Sequence, residues 1–344
     1  MKKPLLVLKV GTASITRADG SLDQPVMVDL VRQMAALHPQ YRLLLVSSGA
    51  VGTGRRFIPG FSGSITDRKA AAAIGNPLLM QMYSRFFAPY DIHLAQTLCE
   101  RHHFSNRTQF LQLRETIETL WEQDIIPIAN ENDVVSNLEL KFSDNDELAT
   151  LMAVGLGAEK LLICTAVPGL LDQAGEVVPT VEKVDRDILG LAHKKTSKGG
   201  LGGMISKLTF ARLATGLGIK VIIFGAQTPD GLRLAVAEET GTVFLPQERT
   251  PRARQKWLAS GSLVAGRLQV DEGAFNALQK RKTLLAVGIE KVVSAFEAGE
   301  VVELVQVDGL PFAVARARIG SAEIPSPEQR KNLIIAHADD IVLL

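Results

Sequence analysis

Four short segments of the sequence are rich in lysine, glycine, hydroxyl and acid or amide residues; three of them follow apolar runs, and the fourth precedes a helical pattern. They lie at 9–12, 46–52, 130–146 and 198–207. Lysine ammonium groups, exposed backbone N–H groups at glycines and the N-terminus of a helix all bind anions, above all phosphates. The first, second and fourth segments are therefore candidate anion sites, and the third is a candidate site for cations or ligand amines.

Each segment also has an ordinary structural interpretation when it is taken alone. Lys9 could simply extend from a strand end, and residues 46–52 could form a loop and the N-cap of a helix. The acidic run could be a solvated turn, and Asp144 or Asn145 also fits the N-cap of the apolar helix that follows. The glycine run at 198–207 could be a flexible surface loop.

The combination of segments is more specific than any one of them. It supplies two lysines on different elements, Lys9 and Lys207, a glycine loop that opens a helix, and a cluster of acids and amides. Phosphoryl transfer depends mainly on positioning and charge neutralisation, which these groups provide. No general base stands beside a nucleophilic hydroxyl, and a carboxylate acceptor needs none because it is already ionised at pH 7.

Several common phosphate and catalytic motifs are absent from the sequence. There is no GxxxxGK[ST] loop and no GxSxG elbow, and the glycines at 200–203 lack the third glycine of GxGxxG. The sequence therefore excludes a P-loop and gives little support to a dinucleotide-binding Rossmann domain.

The elements that must position these segments alternate between strands and helices. This alternation predicts an α/β fold with a mainly parallel sheet covered by helices on both faces, in which ligands bind where strands end. The predicted strands are 5–8, 42–46, 125–129, 160–165 and 220–224, and the predicted helices are 27–37, 68–87, 107–123, 147–156 and 205–217.

The sequence changes character near residue 246, where a polar and basic stretch lacks periodicity. Short alternating runs follow at 268–270, 301–307, 312–317 and 340–344. We predict a first domain over 1–248, a linker over 249–261 and a small, mostly β domain over 262–344.

Composition excludes several classes of protein. The 344 residues carry a net charge of +1, with 46% apolar and 22% charged residues, which is ordinary for a folded enzyme and gives no general field for nucleic acid or membranes. No run is long enough to span a membrane or to form a signal segment. The two separated cysteines predict reduced core thiols in a cytoplasmic protein, and the six histidines have no metal-binding spacing.

The quoted motifs resemble the glutamate 5-kinase family of the amino acid kinase superfamily, and the resemblance runs nearly from end to end. It rests on VLKVGT (7–12), VSSGA (46–50), IANEND (128–133), FSDND (142–146) and GGMISK (202–207). The tail resembles a PUA domain through GRLQVDEGA (266–274) and FEAGEVV (296–302). The family's activity is the ATP-dependent phosphorylation of the γ-carboxylate of L-glutamate, the first step of proline biosynthesis.

The resemblance implies roles for individual residues. Lys9 and Lys207 would flank the transferring phosphoryl group, and Asp146 would hold both ammonium groups. Ser48, Asp133 and Asn145 match glutamate-binding positions, where the aspartate could pair with the α-ammonium group. The positions that match nucleotide binding are Lys9, Thr165, Ala166, Gly202, Gly203, Met204 and Lys207. Mg²⁺ would bridge the phosphates, mostly through nucleotide oxygens and water, with no protein ligand assigned.

Three positions depart from the family pattern. Ala166 stands where the family usually has an aspartate, Leu201 where it has a threonine, and Gln112 where it has an asparagine. The first two changes concern the nucleotide side of the site. Both phosphate lysines remain, so we expect an active kinase.

The predicted PUA domain raises the question of RNA binding. Residues 262–344 contain nine Lys/Arg and eleven Asp/Glu, a net charge of −2. RNA binding needs a basic face, so we expect a structural or regulatory role instead. The basic stretch at 249–256 is the only local feature of the sequence that favours RNA binding.

Other functions compatible with the pattern are a sibling kinase that acts on carbamate, aspartate, acetylglutamate or a nucleoside monophosphate, and a degenerate kinase-fold sensor of glutamate, proline or nucleotide. The family usually forms dimers or tetramers, so a homo-oligomer is expected. Proline, as a feedback inhibitor, is expected to compete with glutamate.

Overall fold

The computed structural model describes residues 2–17, 21–100, 103–104, 107–135, 145–193, 203–247, 264–296, 298–307, 309, 311–326 and 333–343. The chain forms two compact units. One comprises Met1–Glu100 and Leu111–Glu248, and the other comprises Arg101–Phe110 and Arg249–Leu344. The predicted linker over 249–261 lies outside the described residues, so the predicted boundaries at 248 and 262 stay predictions.

The first unit is built on one sheet. Its described strands are β1 (Leu5–Val10), β2 (Arg42–Ser47), β3 (Leu94–Cys99), β4 (Ile126–Glu131), β5 (Lys160–Thr165), β6 (Thr180–Val181), β7 (Lys220–Gly225) and β8 (Thr242–Phe244). Their order across the sheet is β3-β4-β2-β1-β5-β7-β8-β6. All neighbouring pairs are parallel except β7 and β8. The ends of β4, β2, β1 and β5 therefore share one edge.

The helices cover the sheet on both faces. They are α1 (Thr12–Ile15), α2 (Gln24–Leu37), α3 (Ala50–Gly54), α4 (Ile65–Phe87), α5 (Arg107–Glu122), α6 (Asn145–Leu156), α7 (Arg186–His193), α8 (Met204–Gly216) and α9 (Gly231–Val236). Alternate residues of a strand face opposite sides. Leu6 and Leu8 pack in a core with α2, α4 and α9, so Val7 and Lys9 face the opposite side, where α6 contacts β1 and α8.

Helices α3 and α4 cross with their backbones in contact. A Cβ atom on Gly54 would lie 1.9 Å from the carbonyl oxygen of Ala71, and one on Gly75 would lie 1.8 Å from that of Ala50. Only glycine fits at these two positions. The contact fixes α4 against the segment that follows β2.

The second unit has its own apolar core and two small sheets. Its described elements are β9 (Val264–Val270), α10 (Glu272–Gln279), β10 (Leu284–Leu285), β11 (Ile289–Ser294), β12 (Val301–Val305), β13 (Pro311–Arg316), β14 (Ile334–Ala336) and β15 (Ile341–Leu343). The larger sheet has the order β11-β9-β12-β13-β15, and β10 pairs with β14. Asp271 caps α10, since its Oδ1 accepts from the Ala274 N–H at 2.6 Å.

The predicted fold class is confirmed, and several elements differ in extent. Strand β4 continues to Glu131, two residues past the predicted end, because Asn130 and Glu131 pair with Leu98 and Cys99 of β3. Strand β3 itself was not predicted. Both cysteines are buried and free, and none of the described helices is long and apolar enough to cross a membrane.

Candidate functional site

The candidate site lies along the edge where β4, β2, β1 and β5 end. Lys9 is the fifth residue of β1 and stands beside Val46 and Ile163 of the neighbouring strands. Helices α6 and α8 lie on the same face as Lys9. The site therefore takes its charged groups from three elements far apart in sequence.

Lys9, Asp146 and Lys207 form a buried ion-pair cluster. The Lys9 Nζ lies 2.6 Å from Asp146 Oδ1, and the Lys207 Nζ lies 3.0 Å from Asp146 Oδ2. The three residues are 5%, 0% and 9% exposed. One carboxylate thus holds two ammonium groups together, and the cluster carries one net positive charge.

Asp146 remains ionised in this environment. Burial by itself raises the pKa of a carboxyl group, and the two adjacent ammonium groups oppose this effect and prevail, so the pKa of Asp146 lies below its usual value. The first turn of α6 adds a favourable helix dipole. The carboxylate is paired with both lysines, one on each oxygen.

The same edge also carries a cluster of amides and a hydroxyl, which extends from α6 to α4. Asn145 Nδ2 donates to Ser48 Oγ at 2.8 Å and to Asn130 Oδ1 at 2.9 Å. Asn130 Nδ2 donates to Asn76 Oδ1 at 2.9 Å. Asn145 is the first residue of α6, next to Asp146, so the two clusters adjoin.

The segment after β2 brings Ser48 to this cluster. The Ser48 N–H donates to the carbonyl oxygen of Val10 at 3.0 Å, which ties the segment to the end of β1. Gly49 follows with φ 110°, a conformation in which a side chain is strained, and α3 begins at the next residue. The glycine allows the chain to turn immediately after Ser48.

The remaining predicted site residues lie on elements that end or begin at the same edge. Asp133 is half-buried in the turn after β4, Thr165 ends β5, and Ala166 is exposed just beyond it. Gly203 precedes α8, and Met204 begins it. Gly202 lies outside the described residues, as do Asp144 and Leu201.

Thus the described contacts unite Lys9, Lys207, Asp146, Asn145 and Ser48. The amides of Asn76 and Asn130 complete the same network, and the sequence analysis assigned neither a role. Asn130 was within a segment of interest, whereas Asn76 lies inside a helical pattern that gave no signal of function.

Magnesium would find few protein ligands here. Within the described ranges there is no group of three His, Cys, Asp or Glu side chains placed to hold a metal ion. Asp146 is also paired with two lysines. The donor set therefore fits a Mg²⁺ held chiefly by nucleotide phosphate oxygens and water.

Comparison with protein families gives two matches. Residues 4–225 match the amino acid kinase family, and residues 266–338 match the PUA domain. A search of solved structures finds carbamate kinase from Giardia lamblia bound to AMP-PNP, with a TM-score of 0.52 and 18% identity over 71% of this chain and 99% of that chain. At this identity the structural likeness concerns the fold alone.

Relatives with full-length similarity are glutamate 5-kinases. That of Haemophilus influenzae (strain PittGG) is 34% identical and is covered completely, as is this chain. That of Caldanaerobacter subterraneus subsp. tengcongensis is 36% identical over 93% of this chain and 89% of the relative. Extensive identity over both domains shows that the chain belongs to the glutamate 5-kinase family of amino acid kinases.

Proposed function

We propose that this protein phosphorylates the γ-carboxylate of L-glutamate with ATP and releases L-glutamyl 5-phosphate and ADP. The observation that carries this proposal is the buried Lys9–Asp146–Lys207 cluster beside the amide and hydroxyl groups of Asn145 and Ser48. Family membership supports the same activity. L-Glutamyl 5-phosphate is the first intermediate of proline biosynthesis.

The reaction is a direct displacement at phosphorus. A γ-carboxylate oxygen of glutamate forms a bond to the γ-phosphorus of ATP, and the bond from that phosphorus to the β–γ bridging oxygen breaks. The bridging oxygen keeps the electron pair as part of ADP. No proton has to be removed from the acceptor, because a carboxylate is ionised at neutral pH.

Lys9 and Lys207 serve as the catalytic cations. Negative charge spreads over the oxygens of the transferring group in the transition state, and ammonium groups on both sides stabilise it. Asp146 keeps the two ammonium groups from separating through mutual repulsion. Because the three side chains are already paired and buried, little rearrangement is needed when substrates bind.

Ser48, Asn145 and Asp133 bind glutamate in this account. Ser48 Oγ accepts a hydrogen bond from Asn145, so its own proton is directed elsewhere and can be donated to a substrate carboxylate. Asp133 supplies a carboxylate for the α-ammonium group. These groups recognise an amino acid through both of its charged ends.

The nucleotide occupies the side of the site formed by β5 and α8. Gly203 precedes α8 and Met204 begins it, and the N-terminus of this helix favours phosphate. Lys207 lies one turn further along, and Gly202 is proposed to bind the nucleotide with them. Thr165 and Ala166 lie near the nucleotide at the end of β5. Because Ala166 has no carboxylate, we expect weaker selection of the nucleotide than an aspartate would give.

When Mg²⁺ is bound with the nucleotide, it neutralises phosphate charge. Its coordination would then come mostly from nucleotide oxygens and water, and we assign it no protein ligand. Lys9 and Lys207 remain the protein's own source of positive charge.

We further propose a homo-oligomer, a cytoplasmic location consistent with two free buried thiols, and a structural or regulatory role for the PUA domain. Proline would act as a feedback inhibitor in the glutamate pocket. RNA is not the expected partner of the PUA domain, since residues 262–344 carry a net charge of −2.

The proposed activity is tested by ADP release with ATP, Mg²⁺ and one of three acceptors. Glutamate should support turnover, whereas aspartate and N-acetylglutamate should not. Turnover with either of these alone would indicate a sibling kinase. If the protein binds glutamate but shows no turnover with any nucleotide, it would instead be a sensor. The alanine at position 166 favours that alternative function.

A further inference from the structure

Three asparagines, two of them buried and the third partly buried, form a continuous hydrogen-bonded chain beside the residues proposed to bind glutamate. Asn76 of α4 accepts from Asn130 of β4, and Asn130 accepts from Asn145 of α6, each at 2.9 Å. Asn76 and Asn130 are 4% and 5% exposed. The chain links the long helix α4 to a residue that touches Ser48.

A single backbone group fixes the orientation of every amide in this chain. The N–H of Glu131 donates to Asn130 Oδ1 at 2.9 Å, and a backbone N–H can only donate. Asn130 must therefore present its Nδ2 to Asn76, which must accept with Oδ1. On the other side, Asn145 must present its Nδ2 to Asn130, which turns its Oδ1 away.

Two amide atoms at the ends of the chain remain buried and without a hydrogen-bond partner among the described residues. They are Asn76 Nδ2 and Asn145 Oδ1. An unpaired buried amide group is unfavourable. An apolar residue at position 76 would remove the unpaired Asn76 Nδ2 but would leave the buried Asn130 Nδ2 without its acceptor. Asn76 therefore satisfies Asn130 while its own Nδ2 stays unpaired.

The free Asn145 Oδ1 is an acceptor in a site whose proposed ligand carries an α-ammonium donor. The tight crossing of α3 and α4 at Gly54 and Gly75 holds the adjacent Asn76 in place. Asn76 thus holds one end of the hydrogen-bonded asparagines in place. One residue, Asn130, separates it from Asn145, which contacts substrate in the proposed function.

We propose that Asn76 is a positioning residue, which orients Asn145 through Asn130 so that the Asn145 carbonyl oxygen meets the α-ammonium group of the acceptor. The inference rests on the proposed function for the identity of that acceptor. Without Asn76, Asn130 Nδ2 loses its acceptor, and Asn130 is held only through its Oδ1 by the Glu131 N–H and Asn145. The position of Asn145 is then fixed less tightly. Recognition of the ammonium group, rather than of the carboxylates, should suffer.

The test compares Asn76→Ala with the wild type by calorimetric titration with glutamate and with glutarate, which lacks the α-ammonium group. We expect the Kd for glutamate to rise roughly tenfold in the variant, as for a lost hydrogen bond to a charged group. The Kd for glutarate should change less than about twofold, because glutarate makes no contact with the Asn145 carbonyl oxygen.

The matched control is Gln33→Ala. Gln33 is also a buried amide, 3% exposed, and it accepts from the Arg233 N–H at 3.0 Å on α9, away from the site. It should leave both dissociation constants unchanged. An unchanged glutamate Kd in Asn76→Ala, or an equal rise for both ligands, would overturn the proposal.

If Asn76→Ala does not fold, Asn76→Ser is measured in its place, since its hydroxyl is one bond too short to reach Asn130. Failure of both variants to fold would make Asn76 a stability residue and would also overturn the proposal. Binding is measured without nucleotide. A wild type that binds glutamate but does not turn over would refute the proposed function and leave this test intact.

Discussion

Replacing Asp146 by asparagine should separate the electrostatic role of the buried cluster from ordinary packing. The substitution keeps the shape of the side chain and removes its charge, and it leaves the buried Lys9 and Lys207 ammonium groups without a counter-ion. Asp146→Asn should therefore lower both stability and turnover.

The size of the effect follows from the two distances. At an effective dielectric of about 20, charges at the 2.6 and 3.0 Å separations attract by roughly 6 kcal/mol each. Most of this attraction offsets the desolvation of the three groups. Removing one member of a buried pair typically costs about 3–5 kcal/mol. For a unit of this size that corresponds to a decrease in Tm of roughly 6–20 °C.

The pH dependence of the two proteins should also differ. In the wild type the pKa of Asp146 is lowered on folding, so its contribution is present above the unfolded pKa of about 3.9 and is lost as the pH falls through the folded value. Asp146→Asn has no such acid loss.

Glu238→Gln is the matched control, because Glu238 Oε1 also holds two lysines, Lys160 and Lys220, each at 2.7 Å. Its side chain is 30% exposed, so the change should cost less than about 1 kcal/mol and leave turnover intact. The two assays are thermal unfolding, monitored by circular dichroism, and the rate of ADP release. Equal losses of stability in the two variants, or turnover of Asp146→Asn within threefold of the wild type, would refute the reasoning.

Three further predictions concern the substrates. Lys9→Met should lower kcat more than about 100-fold, because a cation that stabilises the transition state is lost. The Kd of this variant for glutamate should stay near that of the wild type, and a decrease in Tm alone would contradict the catalytic role. Ser48→Ala should raise the KM for glutamate roughly tenfold and leave the KM for ATP unchanged, because the hydroxyl is proposed to bind glutamate and not the nucleotide; steady-state kinetics with each substrate varied will decide. Added proline should raise the apparent KM for glutamate without changing kcat, and an unchanged KM would exclude competition.

Strand positions were largely predictable where apolar residues are continuous. Residues 160–165 are β5 at the predicted bounds, since a fully buried strand has a clear run of β-branched and leucine residues. Strand β3 was missed because LAQTLC is mostly half-buried and has no clear alternation. Because β3 was not predicted, the predicted strand at β4 ended two residues early, since the last two residues of β4 pair with β3.

The site was predictable to different degrees for its two clusters. Lys9 and Lys207 drew attention through their types and positions beside glycines, and the resemblance placed Asp146 with them. Asn76 gave no such signal, since an asparagine within an alanine-rich helix has no distinctive spacing. Its contact with Asn130 depends on the pairing of β4 and on the glycine crossing of α3 and α4, both of which are tertiary features.

The most direct test of the central claim is the chemical identity of the product. The wild-type protein is incubated with glutamate, ATP and Mg²⁺ in the presence of hydroxylamine, which traps acyl phosphates. The account predicts γ-glutamyl hydroxamate in amounts equal to the ADP released, and none with Lys207→Met. ADP release without hydroxamate, or hydroxamate formed equally from the Lys207→Met variant, would contradict phosphoryl transfer to the γ-carboxylate at this cluster.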